Sequence, residues 1–562
     1  MRWIARFGNW RWGPPLAAWL ALPALHVGLV VDDHLLRDRL WTARGIRWRG
    51  LLDAFWLVGD VPQLRELGDL PWWSDPQLQL RFFRPLAALT HALDFALLPP
   101  WLMHVESMLW LAALNVAVAH WYRRLLEPES AGVASALFAV APGHVFAASW
   151  LANRNAVLAA LFAVLALTLY ARAREAERTT WPAAALLGLS LLAGEIGVGA
   201  SALWIAYAAC IDRNLRRLAP GLIVSFVWLA VRAALDYGVY ASTLYVDPLR
   251  EPLRFAAAFV EHMPLLLFGV LGVPAITLAL LVAHPLAWSG LGSVVLLVPY
   301  RLRTDARARF GLLGMLLALI PVAATAVHDR LLIVADVAGL GLLAQALSCR
   351  NDRIAKLWLL VRAAASVLLA LAYAASMQQH LDQQRAFDTI ADAAPVFVNS
   401  PCSYYAIQLR RLRVHEGGMV PERVRVLASG LYPLDVERRD AHTLRIRAEG
   451  GLLQPLGSYR SPGQKPAWFS PLYLAQTLDH FPRARWTYRR GDTIALRDLT
   501  LRVSSAPDGY PEQVDVRFRT PLAEVPLWEW NAGRYRRFAV PAIGARVHLE
   551  GTHRVGREHR PP

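Results

Sequence analysis

Apolar residues follow one another in long runs up to about residue 376, whereas beyond that point polar and apolar residues alternate over short distances. The first run, PPLAAWLALPALHVGLVV, begins at Pro14 and ends directly before the acidic pair Asp32 and Asp33. Runs of roughly 18 or more apolar residues are long enough to cross a bilayer as a helix. The pattern therefore predicts an α-helical polytopic membrane protein.

We predict about 11 to 13 membrane spans from runs of this length. They lie near residues 14–31, 101–121, 131–147, 155–171, 182–195, 196–211, 219–236, 310–326, 331–348 and 358–376, with one to three more in 255–300, where prolines interrupt the run. Two further segments are predicted at the membrane surface rather than across it. The segment GLLDAFWLVGD is predicted as a surface helix, and RPLAALTHALDFALLPP as a re-entrant or interfacial segment.

The sequence beyond residue 376 predicts a different kind of domain. Segments such as DTIALRDLTLRV and EQVDVRFRT alternate polar and apolar residues and are bounded by glycine, proline and aspartate, as strands are. We therefore predict two domains: a membrane domain over 1–376 and a β-rich accessory domain over 377–562.

Composition and charge support the membrane interpretation. The chain is 56% hydrophobic and only 18% charged, with a net charge of +16, whereas soluble domains carry about 25% charged residues. Basic residues in a membrane protein mainly report orientation, and those before the first run place the N-terminus in the cytoplasm. The β-rich domain is then extracytoplasmic, and the membrane is the plasma (inner) membrane. No basic stripe with interleaved aromatic residues predicts nucleic-acid binding, and the three distant cysteines predict neither a disulfide framework nor a zinc site.

This topology brings several polar residues to one face of the membrane. An ionisable group at the end of a span usually faces a cavity or a partner, because facing lipid is costly. Each residue alone also fits a solvated flank or an interfacial arginine, but their clustering predicts a site. The candidates are Asp32, Asp33, Arg84, His144, Arg154, Glu195, His328 and Arg330.

Such a set is sufficient for transfer of a sugar from a lipid-linked phosphate. The acceptor hydroxyl needs a base, for which a carboxylate suffices. The departing phosphate gains negative charge, which arginines stabilise. Adjacent carboxylates repel, which raises the pKa of one of them. We predict Asp33 or Asp32 as the base, with a preference for Asp33.

The same residues lie in motifs that resemble a known family. The motifs are VDDHLLRD, FFRPLAALTHALDFAL, APGHVFAASWLANRNAVLAALF, LSLLAGEIGV and HDRLLIVADVAGLGLLAQAL, in this order between about residues 30 and 350. In these motifs the chain resembles the GT-C superfamily of integral-membrane glycosyltransferases, and in particular the protein O-mannosyltransferases that carry tetratricopeptide repeats.

The resemblance implies a polyprenyl-phosphate-linked sugar as donor, inversion at the anomeric carbon, and a protein, lipid or glycan acceptor. It implies that the arginines Arg84, Arg154 and Arg330 contact phosphate or substrate, and that His144, Glu195 and His328 bind or orient substrate. No metal site is predicted, although a divalent cation held by Asp32, Asp33 and Glu195 is an alternative.

The sequence departs from the family pattern at several places. Ala141, Phe146 and Gly194 stand where the family has other residues, and the tetratricopeptide repeats are replaced by the β-rich domain. Two other functions therefore remain open. Charged residues and proline-broken helices also suit a membrane transporter, and a non-catalytic scaffold that binds envelope glycans fits the departures.

Overall fold

A computed structural model describes residues 11–42, 45–274, 305–350, 353–416, 418–448, 451–453, 479, 482 and 487–551. The chain forms two compact units. The helical unit comprises 1–57, 81–238 and 245–381, and the β-rich unit comprises 58–80, 239–244 and 382–562. The main boundary at Leu381 lies near the predicted one, but the segments 58–80 and 239–244 are part of the β-rich unit rather than of the membrane domain.

The helical unit is built from α-helices joined by short turns. Many helices begin with proline, whose fixed φ suits the first helical turn. The helices are Gly13–Leu20, Asp32–Leu40, Gly50–Asp53, Pro85–Leu97, Pro100–Leu125, Pro128–Ala139, Pro142–Ser149, Arg154–Glu175, Trp181–Ala193, Val198–Tyr207, Ala219–Ala234, Pro252–Leu271, Ala306–Val322, Ala335–Arg350 and Arg353–Arg385. Short helical turns are Leu22–His26, Leu151–Asn153, Glu195–Gly197, Ala208–Asp212, Leu215–Leu218 and Asp329–Leu332.

Six helical stretches among the described residues are long and apolar enough to cross a membrane. They are Pro100–Leu125, Leu151–Glu175, Glu195–Asp212, Leu215–Ala234, Pro252–Leu271 and Arg353–Arg385, and the bent pair Pro128–Ala139 and Pro142–Ser149 would make a seventh. The protein is therefore an integral membrane protein with an α-helical membrane part and a C-terminal β-rich part, as predicted. The predicted 11 to 13 spans are not reached in this part of the chain, because several predicted spans are shorter helices.

Some predicted segments differ in detail. The predicted first span is a helix that ends at Leu20, followed by the turn Leu22–His26, because Pro23 lacks a backbone donor and disfavours helical backbone before it. The predicted surface helix at 50–60 is one helical turn, Gly50–Asp53, followed by the strand Trp56–Val58. Much of the predicted 255–300 region lies outside the described residues.

The core of the helical unit is rich in small side chains. Alanines such as Ala134, Ala160, Ala206 and Ala338 are almost fully buried beside leucines and aromatic residues. Small residues at helix interfaces let the backbones approach closely, which is how helices pack in lipid.

The described residues of the β-rich unit form a six-stranded and a four-stranded sheet. The six-stranded antiparallel sheet has the order Thr493–Ala495, Leu499–Ser505, Gln513–Phe518, Thr443–Ala448, Leu434–Arg438, Arg546–Leu549. Its apolar face buries residues such as Ile446 and Val516, and its polar face pairs Arg445 with Asp515 at 2.7 Å. The four-stranded sheet has the order Arg534–Arg537, Leu527–Asn531, Val396–Phe397, Arg425–Val426.

The remaining elements are short. The helix Ser403–Glu416 connects the parallel strands Val396–Phe397 and Arg425–Val426. Outside the two sheets lie the helix Val61–Leu67, the turns Pro507–Gly509 and Leu522–Glu524, and the strands Trp41–Thr42, Gly45–Ile46, Trp56–Val58, Gln79–Arg81 and Gly238–Tyr240.

The segment 58–80 belongs to the β-rich unit because its two tryptophans are buried there. The Trp72 indole N–H donates to the Leu427 carbonyl at 3.0 Å, and the Trp73 indole N–H to the Asp479 carbonyl at 3.0 Å. Asp479 also accepts from the Ser403 backbone N–H at 2.7 Å and from the Ser429 hydroxyl at 2.6 Å. Burial nevertheless raises the pKa of its carboxyl to about 6.

We expect Asp479 to make the β-rich unit lose stability as pH rises. Because its pKa is higher in the folded chain than in the unfolded chain, the folded state holds the proton more tightly, and the free energy of unfolding falls between about pH 4 and pH 6. A shift of this size corresponds to about 3 kcal/mol. Thermal unfolding of wild type and Asp479→Asn, measured from pH 4 to pH 8, should show this slope in wild type alone. Equal slopes would contradict the assignment.

Candidate active site around the acidic pair

Asp33, the preferred base of the sequence analysis, is a buried structural acceptor. Its side chain lies at the start of the helix Asp32–Leu40 and is 1% exposed. One carboxylate oxygen accepts from the Val30 backbone N–H at 2.9 Å, and the other from the Ala152 backbone N–H at 2.7 Å. Because both oxygens already accept from the backbone, Asp33 is poorly placed to take a proton from an acceptor hydroxyl.

The pKa of Asp33 is raised to about 7, but mainly for a reason other than the predicted one. Burial is the largest cause, while the two backbone N–H groups lower the pKa. The neighbouring charge of Asp32 raises it by a smaller effect, and Arg154 lowers it. Desolvation, which disfavours the charged form, therefore outweighs the repulsion within the pair.

Asp32 is less buried than Asp33. It is half-buried, one residue before Asp33. Its charge acts on Arg330, whose pKa is lowered by burial and raised by Tyr245 and Asp32. The two acids therefore differ in their interactions: Asp33 is hydrogen-bonded to the backbone, whereas Asp32 interacts electrostatically with Arg330.

Arg84 lies beside Glu195 and within electrostatic range of Arg330. The Arg84 Nε–H donates to the Glu195 carboxylate at 2.7 Å, and the Phe83 backbone N–H donates to its other oxygen at 2.8 Å. The Arg84 guanidinium stacks on the ring of Phe82 at 4.4 Å. The positive charge of Arg84 lowers the pKa of Arg330, so the two arginines lie within electrostatic range of each other.

Arg330 lies among aromatic side chains. Its guanidinium is 5.1 Å from the Trp150 ring centre and 6.0 Å from that of Phe146, and the nearby Tyr245 hydroxyl raises its pKa. Close backbone packing fixes this arrangement, since a Cβ at Gly143 would lie 2.2 Å from the Asp329 carbonyl oxygen. Glycine therefore lets the helix Pro142–Ser149 pack directly on the turn that carries Arg330.

Both predicted histidines already have hydrogen-bond partners within the protein. His144 is buried, and its ring nitrogens lie 3.1 Å from the Phe138 carbonyl and 3.0 Å from the Asp336 carboxylate. The His328 Nδ1 accepts from the Arg330 backbone N–H at 3.1 Å. Burial, reinforced by Arg330, lowers the pKa of His328 to about 3, so this ring is neutral. His144 therefore joins helices, and His328 shapes the turn before Arg330.

Arg154, predicted to contact phosphate, is instead enclosed in a buried network. Its side chain is 0% exposed, and every guanidinium nitrogen has a partner. Nε donates to the Ser107 hydroxyl at 2.8 Å, Nη2 to the Met103 carbonyl at 2.9 Å, and Nη1 to the Asp94 carboxylate. Arg154 is thus placed to hold the preceding turn, Leu151–Asn153, rather than to contact a substrate.

Sequence reasoning missed the aromatic surroundings of the arginines. Tyr245 lies in a loop between two apolar runs, where neither hydropathy nor spacing distinguishes it from other loop residues. The contact of Phe82 with Arg84 could have been predicted, because Phe82 stands two residues before Arg84. Among the described residues, no group of three or more potential ligands is arranged to hold a metal ion.

We expect loss of Arg154 to destabilise the protein rather than only to weaken substrate binding. Arg154→Leu leaves Asp94 buried without its partner, which costs about 3–5 kcal/mol. The matched change in an exposed pair, Arg124→Leu beside Glu175, should cost at most about 1 kcal/mol. Thermal unfolding in detergent distinguishes the two. If Arg154→Leu unfolds like wild type but no longer binds the donor, the result would contradict the structural role and support the predicted phosphate contact.

Comparison with known proteins gives one match in sequence. No family model matches the chain. The chain is 30% identical over 116 residues to the human protein O-mannosyl-transferase TMTC3. The match covers 20% of this chain, which spans only 13% of the length of that curated relative.

Solved structures of membrane glycosyltransferases also align with the chain. ArnT from Cupriavidus metallidurans in the apo state aligns with a TM-score of 0.36 and 14% identity, over 65% of this chain and 82% of that one. The oligosaccharyltransferase of Archaeoglobus fulgidus tethered to an acceptor peptide aligns with a TM-score of 0.35 and 13% identity, over 76% and 65%. ArnT bound to undecaprenyl phosphate aligns with a TM-score of 0.33 and 14% identity, over 68% and 87%.

The sequence match and the membrane helices agree with the resemblance that the motifs carry. Over those 116 residues the chain is similar to a protein O-mannosyl-transferase, which is the kind of enzyme that the motifs resemble.

Proposed function

We propose that this protein is a glycosyltransferase that moves a sugar from a polyprenyl-phosphate donor to an acceptor hydroxyl on the extracytoplasmic face of the plasma membrane. The observation that carries the proposal is the buried Arg330 guanidinium, whose Nε–H has no hydrogen-bond partner within the described ranges and whose charge interacts with those of Asp32 and Arg84. A base and cationic groups for a departing phosphate are what this reaction requires.

The proposed reaction is a single displacement. The acceptor oxygen attacks the anomeric carbon while its proton passes to the Asp32 carboxylate. The bond from the anomeric carbon to the phosphate oxygen breaks, and polyprenyl phosphate leaves with the bonding electrons. Because the acceptor enters opposite the leaving group, the anomeric configuration inverts.

Arg330 is the proposed first contact for the phosphate. Its Nε–H is buried and has no hydrogen-bond partner within the described ranges, and the same holds for the Trp150 indole N–H. Buried donors are rarely left unpaired in proteins. Arginine suits phosphate because its planar donors match the oxygens, and a phosphate oxygen would satisfy such donors at this place.

Arg84 is proposed to contribute positive charge rather than further unpaired N–H donors. Its Nε–H is held by Glu195, which fixes the orientation of the guanidinium. Glu195 is thus proposed to orient Arg84, and His144 and His328 to support the elements around Arg330.

The first test replaces the proposed base. We expect Asp32→Asn to keep the binding of undecaprenyl phosphate but to lose transfer by at least about a hundredfold, since general-base catalysis contributes on that order. Transfer is measured as release of labelled sugar from the lipid phase, using undecaprenyl phosphates that carry mannose, glucose or galactose, with envelope fractions as acceptor. Transfer by Asp32→Asn at the wild-type rate would contradict the assignment of the base.

The second test concerns the phosphate contact. We expect Arg330→Gln to weaken the binding of undecaprenyl phosphate on the order of tenfold or more, because a hydrogen bond to a charged group contributes about 1.5–3 kcal/mol. The control is Arg250→Gln, since Arg250 is a part-exposed arginine paired with Asp236, and it should bind like wild type. Equal binding by the two variants would show that Arg330 does not hold the phosphate.

A further inference from the structure

The backbone turns sharply just before the acidic pair. The Asp33 backbone N–H donates to the Val30 carbonyl at 3.0 Å, which closes a four-residue turn. Val31, the first central residue of this turn, has φ 56° and ψ −117°. These angles are those of the position that glycine normally occupies in a type II′ turn. A β-branched residue with positive φ is an outlier, so the turn is strained.

Strained backbone persists only where the surroundings hold it in place. Here the Asp33 side chain closes the turn a second time, because it accepts from the Val30 N–H at 2.9 Å. Its other oxygen, bound to the Ala152 N–H at 2.7 Å, joins the turn to the segment Leu151–Asn153. The Gly28 carbonyl is also fixed, 2.9 Å from the His104 Nε2.

The segment to which Asp33 is joined is itself anchored. Arg154 follows it directly and is bound to Asp94, Ser107 and Met103. Trp150 precedes it and lies beside Arg330. One carboxylate therefore connects the turn that presents Asp32 to the segment that adjoins the proposed phosphate contact.

We propose that Asp33 is a positioning residue that clamps the strained turn at Val31 and thereby holds Asp32 in register with Arg330. The proposal rests on the proposed function in so far as Asp32 is the base. A relaxed turn would let the start of the helix Asp32–Leu40 rotate and move the Asp32 carboxylate. Displacement of a catalytic group by about 1 Å is enough to lower a rate on the order of a hundredfold.

Two variants act on the clamp and on the strain separately. Asp33→Asn places an amide N–H opposite one of the two backbone N–H groups, so one hydrogen bond of the clamp is lost. Val31→Gly keeps both hydrogen bonds and removes the strain that they oppose, because glycine adopts a positive φ without steric cost. We expect Asp33→Asn, assayed well below its unfolding temperature, to lower kcat by about tenfold or more while KM for the lipid donor is unchanged, and Val31→Gly alone to keep a kcat near that of wild type.

The double variant and a control separate positioning from general loss of stability. Because a turn with glycine needs less clamping, Val31→Gly added to Asp33→Asn should restore part of the lost kcat. Glu177→Gly relieves another non-glycine residue of positive φ, 51°, in a turn beyond the far end of the helix Arg154–Glu175. Added to Asp33→Asn, it should restore nothing. Wild-type kcat in Asp33→Asn, or a double variant with Val31→Gly that is no more active than Asp33→Asn alone, would overturn the proposal.

A readout without substrate distinguishes failure of this proposal from failure of the proposed function. Labelling of Asp32 by a water-soluble carbodiimide with glycine ethyl ester, followed by mass spectrometry, reports the exposure of its carboxyl. We expect the labelling rate to change in Asp33→Asn and not in Val31→Gly or Glu177→Gly. If it changes while wild type transfers no sugar, the clamp stands and the function fails. If labelling and kcat are both unchanged while Asp32→Asn is inactive, the function stands and the clamp fails.

Discussion

The buried ion pair between Arg154 and Asp94 is the interaction on which the rest of the candidate site depends. A charge in a low-dielectric interior is costly unless it is paired and hydrogen-bonded, and here each guanidinium nitrogen has a partner. The pair therefore fixes the backbone just before Arg154. That backbone supplies the Ala152 N–H to Asp33 and carries Trp150 beside Arg330. Without this anchor, neither the acid nor the arginine of the proposed reaction would have a defined place.

The environments of two adjacent acids explain how one short motif serves two tasks. Asp33 is buried and accepts two backbone N–H groups, which is how a carboxylate stabilises a turn. Asp32 is half-buried and interacts electrostatically with Arg330, which is the environment that the proposed base requires. The burial that raises the pKa of Asp33 also removes it from contact with an acceptor, so a pKa near neutrality does not by itself identify the base.

The sequence predicted the class of fold well because membrane helices depend on simple physics. A run of apolar residues such as 101–121 becomes a helix whatever its partners are, since lipid offers no other hydrogen-bond acceptor to the backbone. The alternating segment 512–520 likewise predicted a strand of the β-rich unit. The segment 58–80 was assigned to the wrong unit, because only tertiary contacts of Trp72 and Trp73 decide where it lies.

The sequence analysis named the charged residues of the candidate site, whose roles stay predictions, but it could not give their partners. A motif tells which charged residues stand near a span, but it does not tell which are paired. Arg154 and Arg84 were equivalent in the sequence, yet the first is fully enclosed by partners, whereas the second lies beside Glu195 and within range of Arg330. Tyr245 carries no signal in sequence, because its contact with Arg330 depends on how a loop folds.

The departures from the family pattern are matched by local packing, which favours a transferase over a scaffold that has lost its site. Phe146 packs its ring 4.9 Å from that of His328 and 5.4 Å from that of Tyr373. These rings adjoin the turn that carries Arg330, so an apolar residue there supports the turn. At Gly194, a Cβ would lie 2.8 Å from the Asn155 amide nitrogen, so the Asn155 side chain would have to shift for any larger residue. Neither change touches Asp32, and the turn that carries Asp32 is still held by both carboxylate oxygens of Asp33.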